Sequence, residues 1–364
     1  MYSSFENLRD LRIPLFSAFV VALLLGGCAA QGPPHPPRIE KPESIKDLAA
    51  FQVGRTIELT FTLPTLATDG EGLSKPLELE LFRVVTPAGQ NTGATAAQPQ
   101  PWATLSPPDF SRYQQGEKIV YPDHLSDQEY SQWLGTSLTF TARGLTRGFR
   151  HRAIESELSN SAVAVLLDVS PAVEAPRCET TEHALELSWP APTVSLSGQP
   201  IHDLAGYRVF RSDASKGPFV LRGEIRASTF RDRDFQFGHA YFYRVRALFR
   251  SGSQLAESED SAPCSMTPRD IFPPAAPEGL SAISTAAGVE LIWNTNTAPD
   301  LAGYNVYRRE GEGRPQKLNT ELVGTPLYRD TGVEAEHRYT YWVTAVDTSG
   351  NESASSTVTM VEVH

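Results

Sequence analysis

Hydrophobic and polar positions alternate in short runs along most of this chain, and the runs come back. Ala184-Leu185-Glu186-Leu187-Ser188-Trp189-Pro190 puts Leu185, Leu187 and Trp189 on one side of a strand, and Val289-Glu290-Leu291-Ile292-Trp293 matches it. A longer phrase, Asp203-Leu204-Ala205-Gly206-Tyr207-Arg208-Val209-Phe210-Arg211, returns about a hundred positions later as Asp300-Leu301-Ala302-Gly303-Tyr304-Asn305-Val306-Tyr307-Arg308. Further on, Phe230-Arg231-Asp232 answers Tyr328-Arg329-Asp330. Tyr241-Phe242-Tyr243-Arg244-Val245-Arg246-Ala247 answers Tyr339-Thr340-Tyr341-Trp342-Val343-Thr344-Ala345. Each unit therefore offers about seven short strands with turn signals between them, and few stretches show a helical period. That pattern predicts tandem β-sandwiches.

The tryptophan of an early strand, the Gly-Tyr-x-Val strand and the late Tyr-x-Tyr-x-Val-x-Ala strand together resemble fibronectin type III domains. The resemblance covers residues 171–268 and 272–364, each introduced by prolines (Pro171 and Pro176; Pro273, Pro274 and Pro277). It implies an all-β, immunoglobulin-like fold in which Trp189 and Trp293 fill the space between sheets, with Tyr207 and Tyr304 beneath them. It also implies that Tyr241 and Tyr339 form tyrosine corners, each hydroxyl bonded to backbone a few residues upstream. Residues 45–170 read as a divergent copy. Thr56-Ile57-Glu58-Leu59-Thr60-Phe61 alternates with Phe61 in the tryptophan position, and Leu77 to Arg83 stands for the Gly-Tyr-x-Val strand. Phe149-Arg150-His151-Arg152-Ala153 is expected to stand for the late strand, without a corner hydroxyl. The span from Phe61 to Phe149 exceeds that from Trp189 to Tyr241, and the surplus falls near 86–129. There Ser126 and Glu129 form a capping box that predicts a short helix.

The opening residues change the picture from fold to location. Arg9 and Arg12 precede an apolar run, Ile13 to Gly27, that ends at Cys28. Fifteen helical residues at ~1.5 Å each reach roughly 22 Å, short of a ~30 Å hydrocarbon core, so residues 1–27 read as an export signal rather than a membrane span. Leu25-Gly26-Gly27-Cys28 resembles the lipobox of bacterial lipoproteins. The resemblance implies cleavage before Cys28, acylation of that cysteine (palmitate among the chains), and, with Ala29 rather than Asp next, attachment to the outer membrane. Several buried acyl chains at ~0.8 kcal/mol per methylene make such an anchor essentially permanent. Residues 28–44, rich in proline, read as a tether in polyproline II.

Charge and cysteines narrow the rest. The formal charge of −11 argues against nucleic acid as a partner and against adhesion to anionic lipid through charge. Beyond Cys28, Cys178 and Cys264 remain, at the two ends of the second unit. In an exported chain a disulfide between them would persist and would close a loop of about 85 residues, worth up to ~4–5 kcal/mol. Two separate buried thiols are the alternative.

No nucleophile elbow, His-Glu-x-x-His helix, phosphate loop or dinucleotide fingerprint occurs, so no catalytic residue, metal or cofactor is expected. Asp232-Arg233-Asp234 and Asp347 to Glu352 lack the ligand spacing of a calcium loop and read as turns. One surface stands out. With Tyr304 and Val306 inward, alternation sends Asn305, Tyr307 and Arg309 outward, and the same logic sends Trp342 outward. Tyr307, Trp342 and Arg309 are thus a candidate face for a sugar ring or a protein hot spot. The matching face of the second unit would carry Phe210 and Phe242 with Arg208, Arg244 and Arg246. Cross-strand packing worth ~0.2–1 kcal/mol per pair is the plainer account. The expectation is a non-enzymatic, lipid-anchored envelope protein presenting modules to protein or polysaccharide. The alternatives are a component of a polysaccharide-degrading system, accessory or catalytic, and a structural spacer. A catalytic site would draw on the acids and aromatics Trp102, Asp109, Tyr113, Asp123, Asp127 and Glu129.

Overall fold

The computed structural model describes residues 38–87 and 100–364. The export signal, Cys28 and most of the expected tether lie outside them. Two compact units divide the chain near Leu166–Leu167, with the short stretch Gln52–Arg55, at the end of the first strand, grouped with the second.

In the first unit, β1 (Ala49–Val53) turns at Gly54 into β2 (Thr56–Phe61), whose Ile57, Leu59 and Phe61 are fully buried. One sheet is built on β3 (Glu78–Thr86), with β4 (Ala103–Leu105) on one side and β7 (Ser137–Arg147) on the other. β8 (Ala153–Glu155) and β9 (Ala162–Val165) both pair with β7. The opposing layer pairs β2 with β6 (Lys118–His124), followed by the short β5 (Gln114–Gln115). Two helices, α1 (Pro107–Tyr113) and α2 (Asp127–Trp133), flank β5 and β6. Ser126 and Glu129 cap α2 reciprocally, Glu129 N donating to Ser126 Oγ at 3.2 Å and Ser126 N to Glu129 Oε2 at 2.9 Å. The described surplus around 86–129 is thus built structure: two helices, β4 beside β3, and β6 with β5 added to the β2 layer.

Two expectations need correction here. The late strand of the first domain is Ser137–Arg147, with Leu138, Phe140 and Ala142 buried, and not the stretch around Phe149. Phe149 is 85% exposed, and Arg150 and His151 after it adopt positive φ, which a strand cannot contain. The tether also ends earlier than residue 44. Glu40 is buried and accepts from Ser74 N, Ser74 Oγ and Lys75 N, its backbone carbonyl accepts from Thr146 Oγ1, and Pro42 bridges Ala67. Proline and charge suggest a solvated spacer, but Glu40 and Pro42 are buried in the domain.

Arg38 closes this corner, its Nε and Nη2 donating to the two oxygens of Asp69 at 2.7 and 2.8 Å. The fork and the Glu71 amide hold the Asp69 carboxyl down at about 2. A depressed carboxylate stabilises the fold above its unfolded pKa, and that contribution is lost as pH falls through about 2. A carboxyl-carbon NMR titration is expected to give Asp69 a midpoint near 2. In Arg38→Ala the midpoint should return toward the ordinary ~3.9.

The second unit holds two sandwiches. In the first of them, β10 (Arg177–Thr180), β11 (Leu185–Ser188) and β14 (Thr229–Asp232) form one sheet. The other runs β13 (Val220–Ile225), β12 (Leu204–Ser212), β15 (Tyr241–Ser251) and β16 (Gln254–Glu257), with β17 (Cys264–Met266) also on β15. The last sandwich repeats this with β18 (Ser281–Thr285), β19 (Gly288–Ile292) and β22 (Leu327–Asp330). Opposite them lie β21 (Gln316–Lys317), β20 (Leu301–Glu310), β23 (Arg338–Asp347) and β24 (Thr359–Glu362). This is the fibronectin type III arrangement.

The recurring phrase has a geometric cause. Register shifts between Leu204 and Gly206, and again between Leu301 and Gly303, mark a bulge in each copy. Gly206 and Gly303 sit at φ +155° and +157°, and a Cβ on Gly206 would come within 2.3 Å of the Ile225 carbonyl oxygen. Beyond the bulge, Tyr207 and Tyr304 meet Trp189 and Trp293 edge-on, with centroids 5.3 and 5.1 Å apart. Tyr241 Oη accepts from Gln236 N at 2.9 Å and Tyr339 Oη from Glu334 N at 3.1 Å, which is the corner geometry. A second tyrosine in each copy reaches a buried carboxylate: Tyr243 donates to Asp232 at 3.0 Å and Tyr341 to Asp330 at 2.8 Å. Arg211 and Arg308 neutralise those aspartates at 2.8 Å. Asp232 and Asp330 are therefore buried and bonded by a tyrosine and by an arginine of the facing sheet, and are not calcium ligands, while Arg231 and Arg329 before them point to solvent.

Cys178 and Cys264 are bridged, with Cα atoms 6.4 Å apart. The bond joins β10 of one sheet to β17 of the other.

Candidate functional site

The outward face of the last sandwich is set by register. Tyr307 on β20 stands directly opposite Trp342 on β23, Asn305 opposite Thr344, and Arg309 opposite Thr340. Opposed residues in a pair of strands share a face. On the other side of β20, Lys317 stands opposite Tyr307. The Tyr307 and Trp342 rings lie parallel within 5°, centroids 5.7 Å apart, and both are half-buried. Exposed Val358 and Met360 lie on the neighbouring C-terminal segment, and Met360 is opposite Thr340.

A carboxylate borders the rings. Glu352 Oε1 accepts from Asn305 Nδ2 at 3.0 Å, from Tyr307 Oη at 2.7 Å and from Thr344 Oγ1 at 2.5 Å. Burial of Glu352 would raise its pKa, but these hydrogen bonds and the nearby Lys317 ammonium outweigh it and hold the carboxyl below its usual range. Burial and the Glu352 carboxylate push the Tyr307 phenol up, so it stays a neutral donor. Asn305 is buried at 4%, so the outward face is closed at that end and open at the aromatic pair. Among the described residues Arg309 has no ion pair or side-chain hydrogen bond, and its buried Nε finds no acceptor.

The second sandwich carries a different surface at the same positions. Phe210 is opposite Arg244 where the third has Tyr307 opposite Trp342, and Arg208 is opposite Arg246. Arg208 pairs with Glu224 and Glu257, Arg246 with Glu257 and Asp260, and Arg244 with Asp260. Arg244 lies over Phe219 at 4.0 Å and Arg246 over Phe210 at 5.2 Å. Every cation on this ladder is already matched. The two faces therefore differ in what they leave available.

In the first domain the acids and aromatics of the alternative site do converge, on one guanidinium. Arg83 lies between the rings of Trp102 and Trp133, at 5.1 and 4.8 Å. Its Nη1 donates to both oxygens of buried Asp123 at 2.8 and 2.7 Å, and its Nη2 lies 3.4 Å from Glu129. Tyr121 packs against Trp102 and Tyr113. Asp109 and Glu129 are also caps of α1 and α2, held low by Ser106 and Ser126, and Asp127 is the first residue of α2. Burial raises the Asp123 carboxyl against the pull of Arg83, while the Ser126 hydrogen bonds and Arg83 hold Glu129 below its usual range.

One further group brings together acids that are far apart along the chain. Single carboxylate oxygens of Asp270, Asp300 and Asp347 lie within 4.8 Å of one another. Such a trio is the residue set a divalent cation would use. Asp347, however, already accepts from Ser349 N, Asn351 N and Asn351 Nδ2, and Ser349 Oγ donates to Asp270. These bonds tie Asp347 and Asp270 to one turn through Ser349 and Asn351.

No protein-family profile matches the sequence. Among curated proteins, Exoglucanase B of Cellulomonas fimi is 32% identical over 242 residues, 61% of this chain and 21% of that protein. Chitinase Chi52 of Paenibacillus xylanexedens is 38% identical over 90 residues, 24% of this chain and 16% of its own length. The chain thus spans about a fifth or less of these two relatives. Among solved structures, a fibronectin type III-like protein of Clostridium thermocellum is 32% identical and covers 26% of this chain and 96% of its own, at a TM-score of 0.23.

Proposed function

We propose that this chain is a non-catalytic envelope lipoprotein, anchored through Cys28 in the outer membrane, that presents its last fibronectin type III sandwich to polysaccharide. The parallel pair Tyr307–Trp342, with a charged and hydrogen-bonding rim, is the observation that carries the reading. Sugar rings expose C–H faces that lie against aromatic rings, and their hydroxyls need polar groups at the edge. The two relatives are named for the breakdown of glucan and of chitin, which favours a polysaccharide over a protein on this face. The lipobox-like Leu25-Gly26-Gly27-Cys28 supports the anchor, and Ala29 supports the outer membrane. The same chemistry would serve an accessory subunit of an extracytoplasmic polysaccharide-degrading system.

Trp342→Ala tests the reading. Retardation of the full chain in native gels cast with soluble glucan or glycol chitin is expected to fall at least tenfold. Unfolding free energy should drop by no more than ~1 kcal/mol, the scale of a cross-strand pair. Unchanged retardation, or a large loss of stability in its place, would return the pair to simple packing.

A further inference from the structure

We infer that Glu352 makes this face select neutral over acidic sugar chains, by offering a fixed carboxylate oxygen to a ring hydroxyl and repelling acidic polymers. The inference rests on the polysaccharide reading of the Tyr307–Trp342 pair and adds the class of chain it takes.

Three donors on three different positions converge on one oxygen of Glu352. That fixes the carboxylate beside the rings without any ligand, so binding loses little side-chain entropy. The other oxygen, Oε2, accepts no hydrogen bond among the described residues, and Glu352 is exposed. An ionised carboxylate has about two acceptor positions per oxygen. Those on Oε2 are open to a hydroxyl donor, next to the phenol of Tyr307.

Arg309 complements it. It shares the face with Tyr307 and makes no ion pair among the described residues, so the rings are bordered by an open acceptor and an unpaired cation. A neutral pyranose, whose hydroxyls both donate and accept, fits both. A polyuronate would set its carboxylates against Glu352, in a protein whose formal charge is already −11. The second sandwich lacks the arrangement, because Arg208, Arg244 and Arg246 are closed on Glu224, Glu257 and Asp260.

The test is affinity electrophoresis of the full chain in gels containing hydroxyethyl cellulose, glycol chitin or polygalacturonate. The wild type is expected to be held by at least one neutral polymer and to run free in polygalacturonate. Glu352→Ala should weaken neutral binding at least tenfold, and Glu352→Gln should allow measurable retention by polygalacturonate. If Glu352→Ala binds as the wild type does while Trp342→Ala does not bind, the selectivity inference fails and the polysaccharide reading stands. Equal retention of the wild type by polygalacturonate also overturns the inference. If no polymer retards the wild type, the polysaccharide reading fails and the inference falls with it.

Discussion

Replacing Cys178 and Cys264 together by alanine is expected to lower the stability of the second sandwich by about 4–5 kcal/mol. The bond spans 86 positions, nearly the whole domain. In the chain-entropy account, a cross-link closing a loop of that size removes ~4–5 kcal/mol of freedom from the unfolded chain. Strand pairing does not duplicate the link. Cys178 is on β10, at the edge of one sheet, and Cys264 is on the three-residue β17, paired only with β15 of the other. Without the bond, β17 keeps three register positions, Tyr241 to Tyr243 against Cys264 to Met266, as its hold on the sandwich. Denaturant unfolding of the full chain, followed by protease resistance of the second sandwich, measures the effect. The wild type under reducing conditions should match the double variant. A loss below ~1 kcal/mol would mean that β17 is held by its strand contacts and that the loop is already constrained when unfolded.

How much of this was legible in the sequence depends on how far apart the partners lie. The sandwich repeats were plain because each rule behind them is local. Alternation puts Leu185, Leu187 and Trp189 inside, and Gly206 and Gly303 recur because a bulge there leaves no room for a Cβ. The outward placement of Tyr307 and Trp342 also followed from alternation. Glu352 did not, because it reaches the face from a bridge after the β23 turn, 47 positions beyond Asn305. The Asp270, Asp300 and Asp347 trio was hidden for the same reason. In the first domain, the apolar alternation of Leu138, Phe140 and Ala142 was present, but aromatic likeness drew attention to Phe149 instead. Residues 38–44 had the composition of a tether. Composition cannot show that Arg38 would find Asp69, or that Lys41 would find Glu157.

Arg83 carries the other large expected effect, and the first domain depends on it. Its guanidinium is 17% exposed and Asp123 beside it 4%, so the pair is removed from water. Arg83→Ala leaves Asp123 buried and unpaired, a change that costs about 3–5 kcal/mol in comparable settings. It also removes the flat cation that packs against both indoles, 5.1 Å from the Trp102 centroid and 4.8 Å from that of Trp133. Trp102 and Trp133 are the two tryptophans of this domain, so fluorescence during urea unfolding reports the loss directly. The pH dependence has a definite sign. Burial already raises the Asp123 carboxyl against the pull of Arg83, and removing the cation raises it further. A carboxyl raised in the folded state destabilises it above the unfolded pKa, and the penalty is relieved as pH falls through the folded value. The deficit of Arg83→Ala should therefore shrink between pH 7 and about 4. Arg83→Ala combined with Asp123→Asn should cost less than Arg83→Ala alone, because no charge is left without a partner. Arg83→Lys keeps the charge but not the flat surface between the indoles, and is expected to fall between the two. If Arg83→Ala unfolds within ~1 kcal/mol of the wild type and shows no pH trend, the guanidinium is not what holds α2 against the sheets. The acids and aromatics around it would then again be open to a role as a site.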